Sequence, residues 1–353
     1  MIRHAQVNES GWRRDPADDA SAGVAPWGIH QLDPAPWNRL RGPVAARGPA
    51  SGLVEVGGRI VCSWGEPDRA DYTFSVAKTY LALLAGVASR DGLMPEVDEP
   101  IVARVPGIGF DAGPARETTW RQMLQQTSEW AGSCFGVPDQ VDRYRRVGFQ
   151  PPPAEGDAVG TKGDARPLRA PGTFWEYNDV RINQLSLALM HLFREPLPEV
   201  FGRALMRPVG AGEDWSWVGY DDSFTEIDGR RVQSVPGGTH WGGGVRIAAR
   251  DQLRLARMLL DGGRARGTQV LPAEWIRQML EPCPIAPFYG YLSWLNRDRV
   301  VMPSASAESW FAIGAGSSIV WHDPSNDLVA VFRWIESSEV DGLVARVLAA
   351  LDG

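Results

Sequence analysis

The feature that most restricts the fold of this chain is a β-hairpin signature with no strand patterns beside it. Residues 52–66, GLVEVGGRIVCSWGE, give two short apolar runs joined by Gly57 and Gly58. Gly-Gly between β-prone runs predicts a tight hairpin, and an isolated hairpin is marginal in water. The other strand patterns, YLSWLN, SSIVWHD and DLVAVFRWI, lie near the C-terminus. The last two flank Pro324, Ser325 and Asn326, a turn-forming cluster, and so predict an antiparallel hairpin. The early hairpin therefore needs the late strands. The two ends of the chain are expected to share one antiparallel sheet with helices packed on it, an α/β fold of the α+β type.

After the hairpin the texture changes. In DYTFSVAKTYLALLAGVASRDG the apolar positions crowd together with alanines from Ser75 to Gly92, which predicts a mostly buried helix of about four turns. Residues 95–235 are Pro-rich, with helical patches at 118–127 and 180–194, few convincing strands, and a long surface excursion, FQPPPAEGDAVGTKGDARPLRAPG. AARDQLRLARMLLDGG reads as an amphipathic helix ended by glycines, and DGLVARVLAALDG as a closing helix. The expected organisation is an irregular N-terminal arm at 1–50 with a short helix near Trp37, an α/β domain built from 51–94 and 236–353, and a mostly helical domain at 95–235 inserted into it, with the active site in the cleft between them.

Composition narrows the partners. Lys and Arg total 36 against 43 Asp and Glu, a net charge of -7, which argues against a nucleic-acid partner. The basic run Arg143–Arg146 is short and reads as a solvated helix face. No segment reaches the roughly 18 continuous apolar residues of a membrane span, and the N-terminus has no apolar run of signal-peptide length. Cys62, Cys134 and Cys283 are far apart and odd in number, so free thiols in a reducing, cytoplasmic setting are expected. No metal or organic cofactor is implied, and oligomeric state is not readable.

The chemistry centres on Ser75 and Lys78. At a helix start these positions face the same side, one turn apart. A serine hydroxyl is a poor nucleophile until a neighbour takes its proton, and a lysine whose pKa is lowered by burial or a second cation can do so. The Ser75 backbone N–H lies in the first turn without an intrahelical partner and is available to an oxyanion. A capping serine beside an ordinary lysine fits the same four residues. Three further segments bear on the choice. In APGTFWEYNDVRINQLSLAL, Tyr177 precedes a helical run, and a phenol near an ammonium loses its proton more readily. In GGTHWGGGVRIAARDQLRLARMLL, Gly242–Gly244 permit close backbone approach next to His240 and Trp241. In WFAIGAGSSIVWHD, Gly314 and Gly316 open a strand whose edge can lie flush against a substrate, with the Ala315 N–H as a second oxyanion donor.

In that order, FSVAK, PGTFWEYND, THWGGG before a helix, and IGAGSS before two late strands resemble the class C β-lactamase and DD-peptidase family, and most of all its esterase, amidase and 6-aminohexanoate-dimer hydrolase branch. MLQQTSEW at 123–130 is similar to a further family segment, and the resemblance runs from about residue 50 to the C-terminus. It implies a β-lactamase/transpeptidase-like fold, Ser75 as the acylated nucleophile, Lys78 as its activating partner, and Tyr177 as the general base for acylation, which returns a proton to the leaving group and then serves the deacylating water. Ser75 and Ala315 N–H groups would form the oxyanion hole.

Two departures stand out. The family's Tyr-x-Asn reads Tyr177, Asn178, Asp179 here, so a carbonyl-facing amide is replaced by an acceptor, free to hold Lys78 or a substrate amine. The family's basic Lys-Thr-Gly or His-x-Gly position reads Ala312, Ile313, Gly314, which argues against β-lactams and cell-wall peptides. Trp130, Trp175 and Trp241 stand beside motif segments and are candidates for an apolar substrate pocket, with His240 and Gly314 as further cleft contacts; each has a purely structural alternative. Asp221, Asp222 and Asp228 read as solvated loop charges. There is no Gly-x-Ser-x-Gly elbow and no His-Glu-x-x-His site. The expected activity is hydrolysis of an ester or small amide. Acyl transfer through the same intermediate, and non-catalytic ligand binding on the same scaffold, are the alternatives.

Overall fold

The computed structural model describes residues 1–15, 33–148, 150–152 and 159–351. The hairpin β1 (Ser51–Val56) and β2 (Arg59–Trp64) forms where expected, with Gly57 and Gly58 at φ +55° and +74°. The three-residue strand β3 (Ala70–Tyr72) follows, and then helix α2 (Val76–Arg90). Every side chain from Val76 to Ala88 in α2 is buried, which is why its sequence is apolar on all sides rather than on one stripe.

The late strands are β6 (Trp294–Leu295), β7 (Trp310–Gly314), β8 (Ser318–Asp323) and β9 (Leu328–Arg333). They form one antiparallel six-stranded sheet in the order β6-β7-β8-β9-β1-β2. Ser51 faces Arg333 and Val56 faces Leu328, so the early hairpin does complete the late sheet. Helix α4 (Ala249–Leu260) packs on β1, β8 and β9, and α2 packs on β7. Helix α5 (Val340–Ala349) closes the described chain. The protein has the expected α+β architecture, an antiparallel sheet flanked by helices.

Several expectations need correction. No helix forms near Trp37, where the chain makes turns; instead α1 (Ile2–Val7) opens the arm, and residues 16–32 lie outside the described residues. Most of YLSWLN is irregular, and only its Trp294–Leu295 pair is strand. Gly314 closes β7 rather than opening a strand, and the next strand starts at Ser318. The 118–127 patch shortens to Trp120–Leu124, started by a capping box between Thr119 and Gln122, whereas 180–194 becomes the full helix α3 (Asp179–Phe193). The 95–235 region also holds more strand than its sequence announces. Phe224–Ile227 pairs with Arg230–Gln233, Ser133–Cys134 with Val137–Pro138, and β4 (Ser216–Val218) joins β3 and β5 (Gly244–Ala248) in a three-stranded sheet. Runs of two to four residues are too short for alternation to register. Within 149–172, residues 149 and 153–158 lie outside the described residues, and the remainder carries no helix or strand. Cys62, Cys134 and Cys283 are free. No helix among the described residues is long and apolar enough to cross a membrane.

Candidate active site

Ser75 is the N-cap of α2, placed there by an unusual turn. Phe74 has φ +49°, a left-handed conformation that costs a side-chain-bearing residue about 1 kcal/mol or more. Packing holds it. The Phe74 ring lies edge-on to Trp12 at 5.7 Å and to Trp334 at 5.8 Å, and the Trp334 indole N–H donates to Asp71 at 2.8 Å. The end of β7 closes the other side: a Cβ added at Gly314 would stand 2.2 Å from Thr73 O and 3.0 Å from Ser75 N. Only glycine lets this strand reach the nucleophile turn, and Ala315 follows directly, beside the Phe74 cluster.

Lys78, one turn along α2 and 1% exposed, donates from Nζ to Ser75 Oγ at 2.9 Å and to Gly237 O at 3.2 Å. Its remaining partner is Asp179, in an ion pair. Tyr177 is also buried, and Lys78 Nζ lies 4.8 Å from the centre of its ring. The loop before β5 completes the enclosure, since a Cβ at Gly238 would sit 3.4 Å from Lys78 Nζ and 3.5 Å from Ser75 Oγ.

Tyr177 is braced by the segment 123–130. Gln126 accepts from the Asn178 N–H at 2.9 Å through its side chain and from the Glu176 N–H at 3.0 Å through its carbonyl. Asn178 then caps α3, accepting from the Val180 and Arg181 N–H groups, and its amide donates to Asp139 O. It therefore takes no part in the site, and Asp179 begins the helix pointing at Lys78.

Asp179 is engaged from three sides: by Lys78, by Arg145, and by His240 Nδ1 at 3.4 Å. This leaves no room for a substrate amine, one of the two roles open to it from sequence. Arg145 also pairs with Asp142 at 3.1 Å, Lys162 reaches Asp142 at 3.3 Å and pairs with Asp33, and His240 Nε2 meets Asp33 at 2.8 Å. Lys78, Arg145 and Lys162 are thus matched against Asp179, Asp142 and Asp33, with the mutual pairing that buried charge requires.

Burial and this field shift the titration of the buried groups. Burial pushes Lys78 below the usual ammonium range; Asp179 opposes that shift and Arg145 adds to it. Burial would raise Asp179, but Arg145, Lys78 and His240 reverse the effect and hold it well below the usual carboxylate range. Tyr177 is pushed up, by burial first and Asp179 second, against the pull of Arg145 and the Ser75 hydrogen bond. From sequence, the ammonium was expected to loosen the phenol's proton. The site does the reverse because burial and the Asp179 carboxylate outweigh the cations beside the phenol. Burial thus biases Lys78 toward the neutral form and Tyr177 toward the protonated one.

The remaining candidates divide. Trp175 lines a pocket of about 210 Å³ with Tyr144, Arg145, Phe174 and Phe288, and its ring lies 6.5 Å from that of Tyr177. Trp130 is 2% exposed and donates to Gly109 O at 2.9 Å; Trp241 is fully buried and donates to Asp33 and Trp37 O. Neither lines that pocket. His240 is buried in the charge network, and Ala312 is buried within β7. Arg145, Asp142, Asp33 and Lys162 escaped sequence reasoning. The Arg143–Arg146 run is neither a helix nor wholly solvated: Arg143 pairs with Asp139 and Arg145 enters the site. A signal existed, because an aspartate where the pattern has asparagine calls for a nearby cation. Asp222 and Asp228 are surface charges paired with Arg41 and Arg194. Among the described residues no group of three or more His, Cys, Asp or Glu is placed to hold a metal ion.

Known proteins share this fold. The solved structure of a proposed 6-aminohexanoate-dimer hydrolase from Bacillus anthracis superposes with a TM-score of 0.60 at 15% identity, over 85% of this chain and 78% of that one. A penicillin-binding protein homologue from Caulobacter crescentus gives 0.60 at 15% identity over 96% and 99% of the two chains. EstCE1, described as a hydrolase with promiscuous acyltransferase activity, gives 0.58 at 16% identity over 84% and 92%. At such identities these likenesses speak for the fold. The β-lactamase family model matches residues 56–345 in sequence, spanning the Ser75 turn, Tyr177 and the β7 edge, and the chain belongs to the β-lactamase family of serine hydrolases and penicillin-binding proteins.

Proposed function

We propose that the protein cleaves a carboxylic ester or small amide through an acyl-enzyme on Ser75. Lys78 accepts the Ser75 proton as Oγ bonds to the substrate carbonyl carbon, and the oxyanion rests on the Ser75 and Ala315 N–H groups. The bond to the leaving group breaks as that group takes the Tyr177 phenolic proton. Water then attacks the acyl-enzyme, giving its proton to the Tyr177 phenolate, and Ser75 leaves with the proton held by Lys78. The cycle restores every group. The observation that carries this reading is the 2.9 Å contact from a buried Lys78 Nζ to Ser75 Oγ. A cleft that only held ligands would gain nothing from burying a lysine against a serine hydroxyl. With an alcohol or amine in place of water the same intermediate would transfer its acyl group, a reading favoured by the likeness to EstCE1.

The division into a sheet domain (51–94, 236–353) and a mostly helical domain (95–235) with the site between them belongs to this reading, as does a cytoplasmic setting, which three free thiols support. The test is a nitrophenyl ester series from short to medium acyl chains, with and without an added alcohol acceptor. Saturable, Ser75-dependent hydrolysis is expected, and rates equal in wild type and Ser75→Ala would overturn it.

A further inference from the structure

Beside the catalytic groups, Arg145 stands in a position that balancing Asp179 does not exhaust. Its hydrogen bonds to Asp142 and Asp179 all run through Nη1, leaving Nε and Nη2 uncommitted among the described residues. Its side chain is 16% exposed, and it forms part of the wall of the pocket beside Tyr177, with its guanidinium 5.5 Å from the centre of the Tyr177 ring. The pocket contains both halves of a recognition site. Phe174, Trp175 and Phe288 supply an apolar wall, with Trp175 edge-on to Phe288 at 5.0 Å, and Arg146 and Arg169 also line it. Its one carboxylate among the described residues, Glu176, is taken by Arg166 at 2.9 Å and Arg181 at 3.2 Å. A guanidinium fixed by two aspartates through one nitrogen is a pre-organised fork, and a fork of this kind matches a carboxylate.

We propose that Arg145 is a specificity-determining residue that anchors a substrate carboxylate, so that the favoured esters or amides carry an apolar body and an anionic group near the scissile bond. This rests on the acyl-enzyme reading for its catalytic consequence, though not for the binding itself. The anchoring is expressed in KM, because the carboxylate is held alike in ground and transition states.

Two measurements test it. In the first, isothermal titration calorimetry compares 3-phenylpropionate with 3-phenylpropionamide, which share a body and differ in charge. Wild type is expected to bind the carboxylate about ten- to a hundredfold more tightly, the value of a charge-assisted hydrogen bond, and Arg145→Met to lose that difference. In the second, kcat/KM for the mono-nitrophenyl ester of succinate is divided by that for nitrophenyl butyrate. Arg145→Met perturbs Asp179 and slows both esters, but only loss of an anchor moves their ratio, and it does so through KM. Equal binding of acid and amide by wild type, or a preference that survives in Arg145→Met, overturns the proposal. If Arg145→Met does not fold, Arg169→Met and the wild-type acid-to-amide ratio decide: the ratio must exceed about tenfold and Arg169→Met must leave most of it. Failure to hydrolyse any ester would count against the acyl-enzyme and leave the calorimetric result standing by itself.

Discussion

Lys78 is balanced between an acceptor and a cation. Asp179 would keep it charged, while burial and Arg145 press it toward the neutral form that can take a proton from Ser75. Asp179→Asn removes the opposing charge. The Lys78 pKa then falls further, and because the neutral amine is the active form, the acid limb of kcat/KM against pH moves to lower pH by about one unit or more. An unmoved limb, or one displaced to higher pH, would place the essential base elsewhere. The same substitution leaves Arg145 less well paired and lowers stability, at the scale of about 3–5 kcal/mol for breaking a buried pair, which chemical denaturation measures. Residue by residue, sequence singled out Ser75, Lys78 and Tyr177, which sit in short ordered motifs and which the fold brings together. It could not reveal Arg145, whose partner Asp179 is remote in sequence and whose neighbours are arginines with different fates. Nor could it sort Trp175 from Trp130 and Trp241, because standing next to a motif does not say which way an indole points.

The nucleophile turn depends on two elements meeting. Phe74 is held in its left-handed conformation by Trp12 and Trp334, and the β7 edge reaches Ser75 only because residue 314 has no side chain. Gly314→Val is expected to displace Ser75 from Lys78 and Tyr177 and to reduce kcat by about a hundredfold or more, since misplacing a catalytic group by about 1 Å costs that much. Steady-state kinetics with a thermal melt would check it, and full activity would show that the strand edge has no part in shaping the turn. A second element-level device is the buried cluster that ties the 123–130 segment to α3, in which Glu129 is held by Arg166 and Arg181. Burial would raise Glu129, but these arginines and the Arg169 N–H hold it below its ordinary value of 4.5. A carboxylate with a depressed folded pKa contributes its full stability above the unfolded value, and that contribution is lost as pH falls through the folded value. Thermal stability is therefore expected to drop below about pH 4.5, and Glu129→Gln to flatten the drop while lowering the midpoint at neutral pH. Elements with strong signals, such as α2 and α3, were legible. Trp310–Gly314 was hidden because the glycines at 314 and 316 read as the start of a strand rather than the end of one, and β4 because it is only three residues long and pairs with residues remote in sequence.

At the scale of the molecule, the sheet is closed by the two ends of the chain, and the arm is tied into it. Arg47, buried beneath Trp334 at 4.9 Å, donates to Ser10 O at 3.0 Å, to Trp12 O at 2.9 Å and to Glu9 at 2.8 Å. Deleting residues 1–15 would strip these acceptors from a buried guanidinium and remove Trp12 from Phe74. We expect a loss of about 3–5 kcal/mol together with reduced activity, read from denaturant midpoints and ester turnover on one preparation. An unchanged midpoint would mean that the arm is only a covering. The joining of early and late strands was the most legible property of the whole chain, because a two-stranded hairpin without a sheet is not a stable object. The arm's part in shaping the nucleophile turn was not legible, since it acts through carbonyl groups and one indole.

The central claim is covalent, and the most direct measurement is the mass of the trapped intermediate. Wild-type protein acid-quenched during turnover of a nitrophenyl ester should gain one acyl group, located by peptide mapping on the fragment that contains Ser75, and Ser75→Ala should gain none. Turnover without an adduct at Ser75, or an adduct that persists at another residue in Ser75→Ala, would contradict the account.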